Sequence, residues 1–248
     1  MSTNLNKSYL IHLQELGHSL SLSKRTIDGF DTWYSNILPT NKNANILDFG
    51  CGLGSFLLYL KYKGYKNIEG VDSNEILCLE AQKRTDCKVE LIDDIYNYSL
   101  AKKGSFDFIN MKDVLEHLNE EQAINTLSQL KSTLKSKGII FISVPQICGF
   151  TSIFTLYNDY THKKLFTERS LKQILRASGF ENIKLVYPKT IFNLRLSSIL
   201  LKFIQKIWFF FIKLIYFIER PGEDKPPYLG DRISVIAFNS SESNESTF

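Results

Sequence analysis

The chain has 248 residues, 44% hydrophobic and 23% charged, enough apolar material for one large buried core and unlike a disordered or fibrous protein. A net charge of +4, without a dense Lys/Arg block or basic–aromatic interleaving, argues against a nucleic-acid partner. The four cysteines (Cys51, Cys78, Cys87, Cys148) form no CxxC pair and no disulfide framework, so a reducing, cytoplasmic setting is expected.

The opening "MSTNLNKSYLIHLQ" lacks a basic region followed by a long apolar run, and no signal peptide is expected. "YLIHLQEL" and "TIDGFDTWYSNIL" read as partly amphipathic helices, giving an N-terminal helical cap over 1–43 that Pro39 and "TNKNAN" end. From Asn45 the pattern changes to short apolar runs: "NILDFG", "NIEGVD", "VELID", "FDFINM" and "GIIFISVP". Helical segments near 55–63, 75–84 and 120–135 separate them. This alternation predicts an α/β fold whose parallel sheet carries helices on both faces, with "IIFIS" buried from both sides. A helix at "ERSLKQILRASGF", a strand at "NIKLVYP", a very apolar stretch within 191–230 and a last strand at "DRISVIAFN" follow. The core therefore spans 44–190 with 231–239, and the polar tail 240–248 is expected to be disordered.

"ILDFGCGLGSF" sets Asp48, Gly50, Cys51, Gly52 and Gly54 between the first core strand and the next helix. Glycines there admit close backbone approach to a ligand. The spacing is GxGxG, not the GxGxxG of dinucleotide binders. Asp48 precedes it where a diphosphate would be repelled and a cationic amine welcomed, and Asp72 ends the second strand, placed to accept from both ribose hydroxyls. A tight structural turn and a nucleotide-dependent dehydrogenase are the competing readings.

With these motifs the chain resembles the class I S-adenosylmethionine-dependent methyltransferases from about residue 44 to 187, among them the type 11/12/23 bacterial small-molecule and polyprenyl-quinone O-methyltransferases. The resemblance implies a Rossmann-like seven-stranded sheet with S-adenosylmethionine as cofactor. It implies that the Asp48–Gly54 loop cups the methionine and sulfonium part and that Asp72, followed by Ser73, holds the ribose. Asp94 would meet the adenine amino group, Ile95 the ring, and Lys112 at the end of "FDFINMK" completes the set.

Methyl transfer from a sulfonium asks the protein to position the acceptor and, for a hydroxyl, to take its proton. "KDVLEHL" offers Asp113, Glu116 and His117 at helical spacing after the fourth strand, and His162 follows in "NDYTHKK". His117 or His162 can act as a general base, since imidazole titrates near neutrality. Alternatively Asp113, Glu116, His117 and His162 gather a divalent cation such as Mg2+. That pattern is similar to the E-x-x-E-H plus later His of small-RNA 2′-O-methyltransferases and polyprenyl-quinone O-methyltransferases, with Asp113 in place of the first Glu. A third reading is structural, with Asp113 as a helix cap and Glu116 paired to a lysine.

The stretch "IWFFFIKLIYFIER" is too interrupted to span a bilayer: any 20-residue window buries Lys206 or Lys213 at about 2.5–3.5 kcal/mol each. Wound as a helix over 193–220, it puts Arg195, Lys202, Lys206, Lys213 and Arg220 within an arc of roughly 40°, opposite Leu200, Phe203, Ile204, Ile207, Trp208, Phe210, Phe211, Leu214, Ile215 and Ile218. Such a helix suits a membrane interface, with core packing or a homodimer contact as the alternatives. The expected function is O-methylation of a small-molecule, quinone, saccharide or lipid-linked acceptor, peripherally at the inner face of the membrane. A noncatalytic S-adenosylmethionine-binding module and C- or N-transfer are the rivals.

Overall fold

The computed structural model describes residues 8, 10–11, 22–148, 152–188, 196–222 and 229–239. Most of "YLIHLQEL", Arg195 and the 240–248 tail, on which expectations were placed, lie outside that set.

Seven strands form one sheet: β1 (Asn45–Phe49), β2 (Asn67–Asp72), β3 (Lys88–Leu91), β4 (Phe106–Lys112), β5 (Leu134–Pro145), β6 (Ile183–Val186) and β7 (Arg232–Phe238). Their order is β3-β2-β1-β4-β5-β7-β6, with β7 antiparallel to both neighbours and the other pairs parallel. The expected seven-stranded Rossmann-like sheet is present. Strand order reverses between β1 and β4, so a crevice opens beyond their carboxyl ends, where open α/β sheets bind ligands.

The helices are α1 (Lys24–Tyr34), α2 (Ser55–Tyr62), α3 (Glu75–Thr85), α4 (Ile95–Ala101), α5 (Glu120–Thr133), α6 (Ser152–Asn158), α7 (Glu168–Ala177) and α8 (Leu196–Glu219). Local chemistry explains their starts. Asn74 accepts from the Ile76 and Leu77 N–H groups to open α3, while Lys83 and Arg84 sit at the negative end of its dipole. Asn119 with Gln122, and Thr167 with Ser170, form reciprocal caps at α5 and α7. The sequence reading did not anticipate α4 or α6, both of only seven residues.

Two apolar layers cover the sheet. One holds Leu47, Ile109, Leu127, Leu130, Ile142, Leu171 and Val235. The other joins α1 to the sheet: Tyr34 is fully buried, its ring 4.5 Å from Phe56 and 4.8 Å from Phe141. The described part of the expected helical cap is thus a structural layer of the core. Loss of such aromatic burial costs several kcal/mol.

The glycine loop is where backbone geometry is most restrictive. Gly54 has φ +76, and a Cβ there would lie 2.7 Å from Thr85 Cγ2 and 3.3 Å from Ala81 Cβ. Gly54→Ala is therefore expected to destabilise the protein by about 1–3 kcal/mol, read as a lower urea midpoint at unchanged slope. A neutral result would show that the α2–α3 packing can yield.

Candidate active site

Asp48 ends β1 almost completely buried, and Asn110 from β4 donates to its Oδ1 at 2.6 Å. Asn110 in turn accepts from the Tyr34 hydroxyl at 2.7 Å. Burial pushes the Asp48 carboxyl up to about 7, against the lowering effect of the Asn110 bond. Neither Tyr34 nor Asn110 was singled out by sequence. The available signal was a polar residue inside the apolar run "FDFINM".

Beyond Asp48 the loop turns on Gly50, at φ +77, where a Cβ would meet Val114 Cγ2 at 2.4 Å. The Gly50 and Cys51 N–H groups bond the Val71 carbonyl, which holds the loop against β2. Asp72 Oδ2 accepts from Gly52 N–H and Oδ1 from Asn74 N–H, both at 2.9 Å, and Ser73 N–H also turns to this carboxylate. Burial raises the Asp72 pKa despite these three donors. Cys51 is buried, and burial followed by the charges of Asp48 and Asp72 drives its thiol far above its ordinary range. It is no nucleophile.

Two expected cofactor residues are engaged elsewhere. Asp94 caps α4, accepting from Tyr96 N–H at 2.8 Å and from Asn97 Nδ2 at 2.6 Å. Lys112 Nζ bonds Asp113 Oδ2 at 2.5 Å. Ile95 opens α4 and packs on the core.

The expected quartet Asp113, Glu116, His117 and His162 divides. Asp113 leaves it, because its second carboxylate oxygen is bonded to Arg232 Nη2 and its backbone is left-handed at φ +58. Burial works to raise its pKa, but Lys112 and Arg232 prevail and hold the carboxyl well below the usual carboxylate range. The helical spacing assumed for this segment fails at that residue: β4 ends in a reversed turn and then a single 3-10 turn, Leu115–His117. The expected helix-cap role for Asp113 fails with it, and among the described residues Glu116 has no lysine partner.

Glu116, His117 and His162 do converge, with one ligand-type atom from each lying within 4.8 Å of the others. Glu116 is completely buried, and neither carboxylate oxygen has a hydrogen-bond partner. Burial, then the Asp113 charge, push its pKa up to about 8, so it is protonated at neutral pH.

The two imidazoles lie 4.8 Å apart, centroid to centroid. His162 Nδ1 is 2.9 Å from the Thr155 carbonyl of α6, which can only accept, so Nδ1 carries the proton and Nε2 the lone pair. Thr161 Oγ1 donates to Asp159 Oδ1 at 2.6 Å, so it accepts from His117 Nδ1–H at 2.8 Å. These contacts set each ring with its proton on Nδ1. Burial, and then His162, lower the His117 pKa and keep that ring neutral. Lys163 N–H bonds the Glu116 carbonyl at 2.8 Å and ties the two segments together. Thr161, Asp159 and Arg232 act only through tertiary contact, and "NDYTH" alone does not reveal them.

The donor set bears on the metal expectation. Two imidazoles and one carboxylate suit a borderline transition ion; Mg2+ prefers oxygen ligands and water. The Mg2+ expectation does not fit these residues. The S-adenosylmethionine expectation does fit: glycines that exclude a Cβ, a buried acid and a second acid line one crevice.

Comparison with known proteins agrees with this. The model of a family described as "Methyltransferase domain" matches residues 25–185. A phosphoethanolamine N-methyltransferase of Plasmodium falciparum is 26% identical over 152 residues, covering 59% of this chain and 57% of its own length. A SAM-dependent methyltransferase from Archaeoglobus fulgidus superposes with a TM-score of 0.64 at 22% identity, over 93% of this chain and 99% of that one. A Haemonchus contortus phosphoethanolamine N-methyltransferase, solved with phosphomonomethylethanolamine and S-adenosylhomocysteine, gives 0.58 at 15% identity, over 95% and 58%. The structural likenesses, below 25% identity, are likenesses of fold.

The raised Asp48 gives a pH test. A bound cation at Asp48 favours its carboxylate, so protons compete with S-adenosylmethionine below the Asp48 pKa of about 7. Calorimetric titration is expected to show affinity flat above that pH and weakening by about tenfold per unit below it. Asp48→Asn should abolish the slope; an unchanged slope in that variant would detach Asp48 from the ligand.

Proposed function

The chain belongs to the class I S-adenosylmethionine-dependent methyltransferases, and on that premise we propose that it methylates a hydroxyl of an amphiphilic acceptor at a membrane surface. The observation that carries the chemistry is the His117–His162 pair, two imidazoles 4.8 Å apart with each Nδ1 held by a hydrogen bond. S-adenosylmethionine, when bound, supplies an electrophilic methyl on a sulfonium that is already a good leaving group. Asp48 and Asp72 orient that molecule from the β1 and β2 ends of the crevice. His117 or His162 accepts the hydroxyl proton at Nε2 as the oxygen becomes nucleophilic. An aliphatic hydroxyl needs this help because its own acidity is far too low at neutral pH.

The surface statement rests on α8. Phe209, Ile212 and Tyr216 form its protein-facing seam, with Ile212 buried. Leu200, Phe203, Ile204, Ile207, Trp208, Phe210, Phe211, Leu214, Ile215 and Ile218 remain 41–68% exposed, so packing against the protein's own core is not what this face does. Seam and cations (Lys206, Lys213, Arg220) fall within about 120° of arc, so the apolar face points away from the body. Among the described residues no helix is long and apolar enough to cross a membrane. An in-plane helix fits both facts.

Two further readings have specific support. The name of the Plasmodium relative favours an amine acceptor, for which the same imidazoles would take an ammonium proton. The unpartnered Glu116 carboxyl favours a cation held by Glu116, His117 and His162, which would acidify an acceptor hydroxyl.

His162→Ala is expected to lower turnover by about 10²–10⁴-fold while S-adenosylhomocysteine affinity stays at wild-type level. Full activity would remove His162 from the chemistry, and cofactor binding without turnover in the wild type, across hydroxyl and amine acceptors, would indicate a binding module. Activity that survives dialysis against a chelator supports the metal-free route; loss restored by Zn2+ or Mn2+ supports the cation. For location, the wild type should float with anionic vesicles, and joint replacement of Lys202, Lys206 and Lys213 by Glu should weaken that at least about tenfold. Failure of both proteins to float would end the surface reading.

A further inference from the structure

Helix α6 is built inside out. Its two most buried positions are polar: Ser152 at its start and Asp159 just after its end are 5% and 7% exposed, with half-buried Thr155 and Leu156 between them. Its outer side is Ile153, Phe154 and Tyr157, continued by Tyr160, at 66%, 71%, 80% and 97% exposed. A water-facing helix presents the opposite pattern, since each exposed aromatic forgoes about 1.5–3 kcal/mol of burial. The polar side is in use: the Thr155 carbonyl orients His162, and Asp159 with Thr161 orients His117. The inner side of α6 thus faces the imidazole pair, and among the described residues nothing covers its apolar side.

The neighbourhood selects the occupant. Tyr216, on the inner seam of α8, lies against Cys148 just before α6, so the two helices are neighbours. The exposed cations of α8, with exposed Lys163 beyond α6, rim this surface, and Glu219 is the single acid of α8. Aromatic side chains bordered by cations match an anionic bilayer, whose head groups neutralise the rim while the acyl boundary takes the rings. A second copy docking face to face would instead set the cationic rim against its own.

We infer that α6 is a second bilayer-contacting element, which seats the imidazole pair at the lipid surface so that an amphiphilic acceptor presents its head group from the bilayer plane. This rests on the surface reading of α8, which flotation of the wild type tests separately. The acceptor's polar head lies on the inner, hydrogen-bonded side of α6 and its hydrocarbon on the outer side.

The test is depth-dependent quenching with anionic phosphatidylglycerol vesicles, plain or brominated on the acyl chains. Trp208→Phe is compared with the double variant Trp208→Phe/Tyr157→Trp, so the difference reports position 157 alone. The expected result is a blue shift and a loss of the added emission on brominated vesicles. Phe154→Asp, checked by unchanged S-adenosylhomocysteine binding, should lower vesicle partitioning at least about tenfold. Flotation of the wild type with no quenching at position 157 would overturn the inference and leave the α8 reading standing. A concentration-dependent dimer abolished by Phe154→Asp, without quenching, would overturn it in favour of self-association. No flotation at all would overturn both.

Discussion

The site depends on where Asp113 is held. Its half-buried carboxylate lies between Lys112 on its own strand and Arg232 at the start of β7, and both cations stabilise its charge. Because β7 runs antiparallel, its first residue stands beside the last of β5, with Arg232 opposite Pro145. An antiparallel strand begins where its parallel neighbours end, so a residue from near the chain's far end reaches the ligand side of the sheet. Pinned there, Asp113 takes a left-handed backbone, and the next turn swings Glu116 and His117 toward His162. A carboxylate that looks catalytic in sequence thus acts as the hinge pin for those that converge.

The cofactor side shows the same economy of contacts. Tyr34 of α1 is wedged among Phe56 and Phe141, and its hydroxyl fixes Asn110, which fixes Asp48. Apolar packing of the ring sets the position of a polar chain that ends at the buried acid. The N-terminal helix therefore belongs energetically to the crevice, although it precedes the motif by a dozen residues. Removing the hydroxyl would leave the Asn110 carbonyl buried without its donor.

Around the acceptor side the usual rule of polar outside and apolar inside is inverted twice, in α6 and in α8. In α6 the inner side is tied to the site: the Thr155 carbonyl bonds His162, and Asp159 just beyond the helix holds the Thr161 hydroxyl that bonds His117. In α8 the cause is different: among the described residues Ile212 is buried and Phe209 and Tyr216 half-buried, so most of a strongly apolar helix is presented outward. That two neighbouring elements both turn apolar side chains outward, for unrelated local reasons, is the physical basis of the proposal that the reaction takes place beside lipid.

Much of this was legible in the residues. Alternating apolar runs and helical segments gave the seven strands in order, and "DFGCGLG" followed by "EGVD" located the crevice, because strand period and glycine geometry are local properties. The exposed cations Lys206, Lys213 and Arg220 gave α8 its amphipathic sense for the same reason. What depended on tertiary structure was every assignment that pairs residues distant in the chain. The sequence placed Asp113, Glu116 and His117 on one helical face; instead the chain turns left-handed at Asp113, which pairs with Arg232, while Glu116 and His117 converge with His162. Beyond the polar Asn110 in an apolar run, the sequence showed no sign of Tyr34, Thr161 or Asp159, whose importance lies in hydrogen bonds across 44 to 76 residues or in orienting a ring. Periodicity can state which side of a helix is apolar. Only the packed molecule decides whether that side meets the core, and in α6 and α8 it does not.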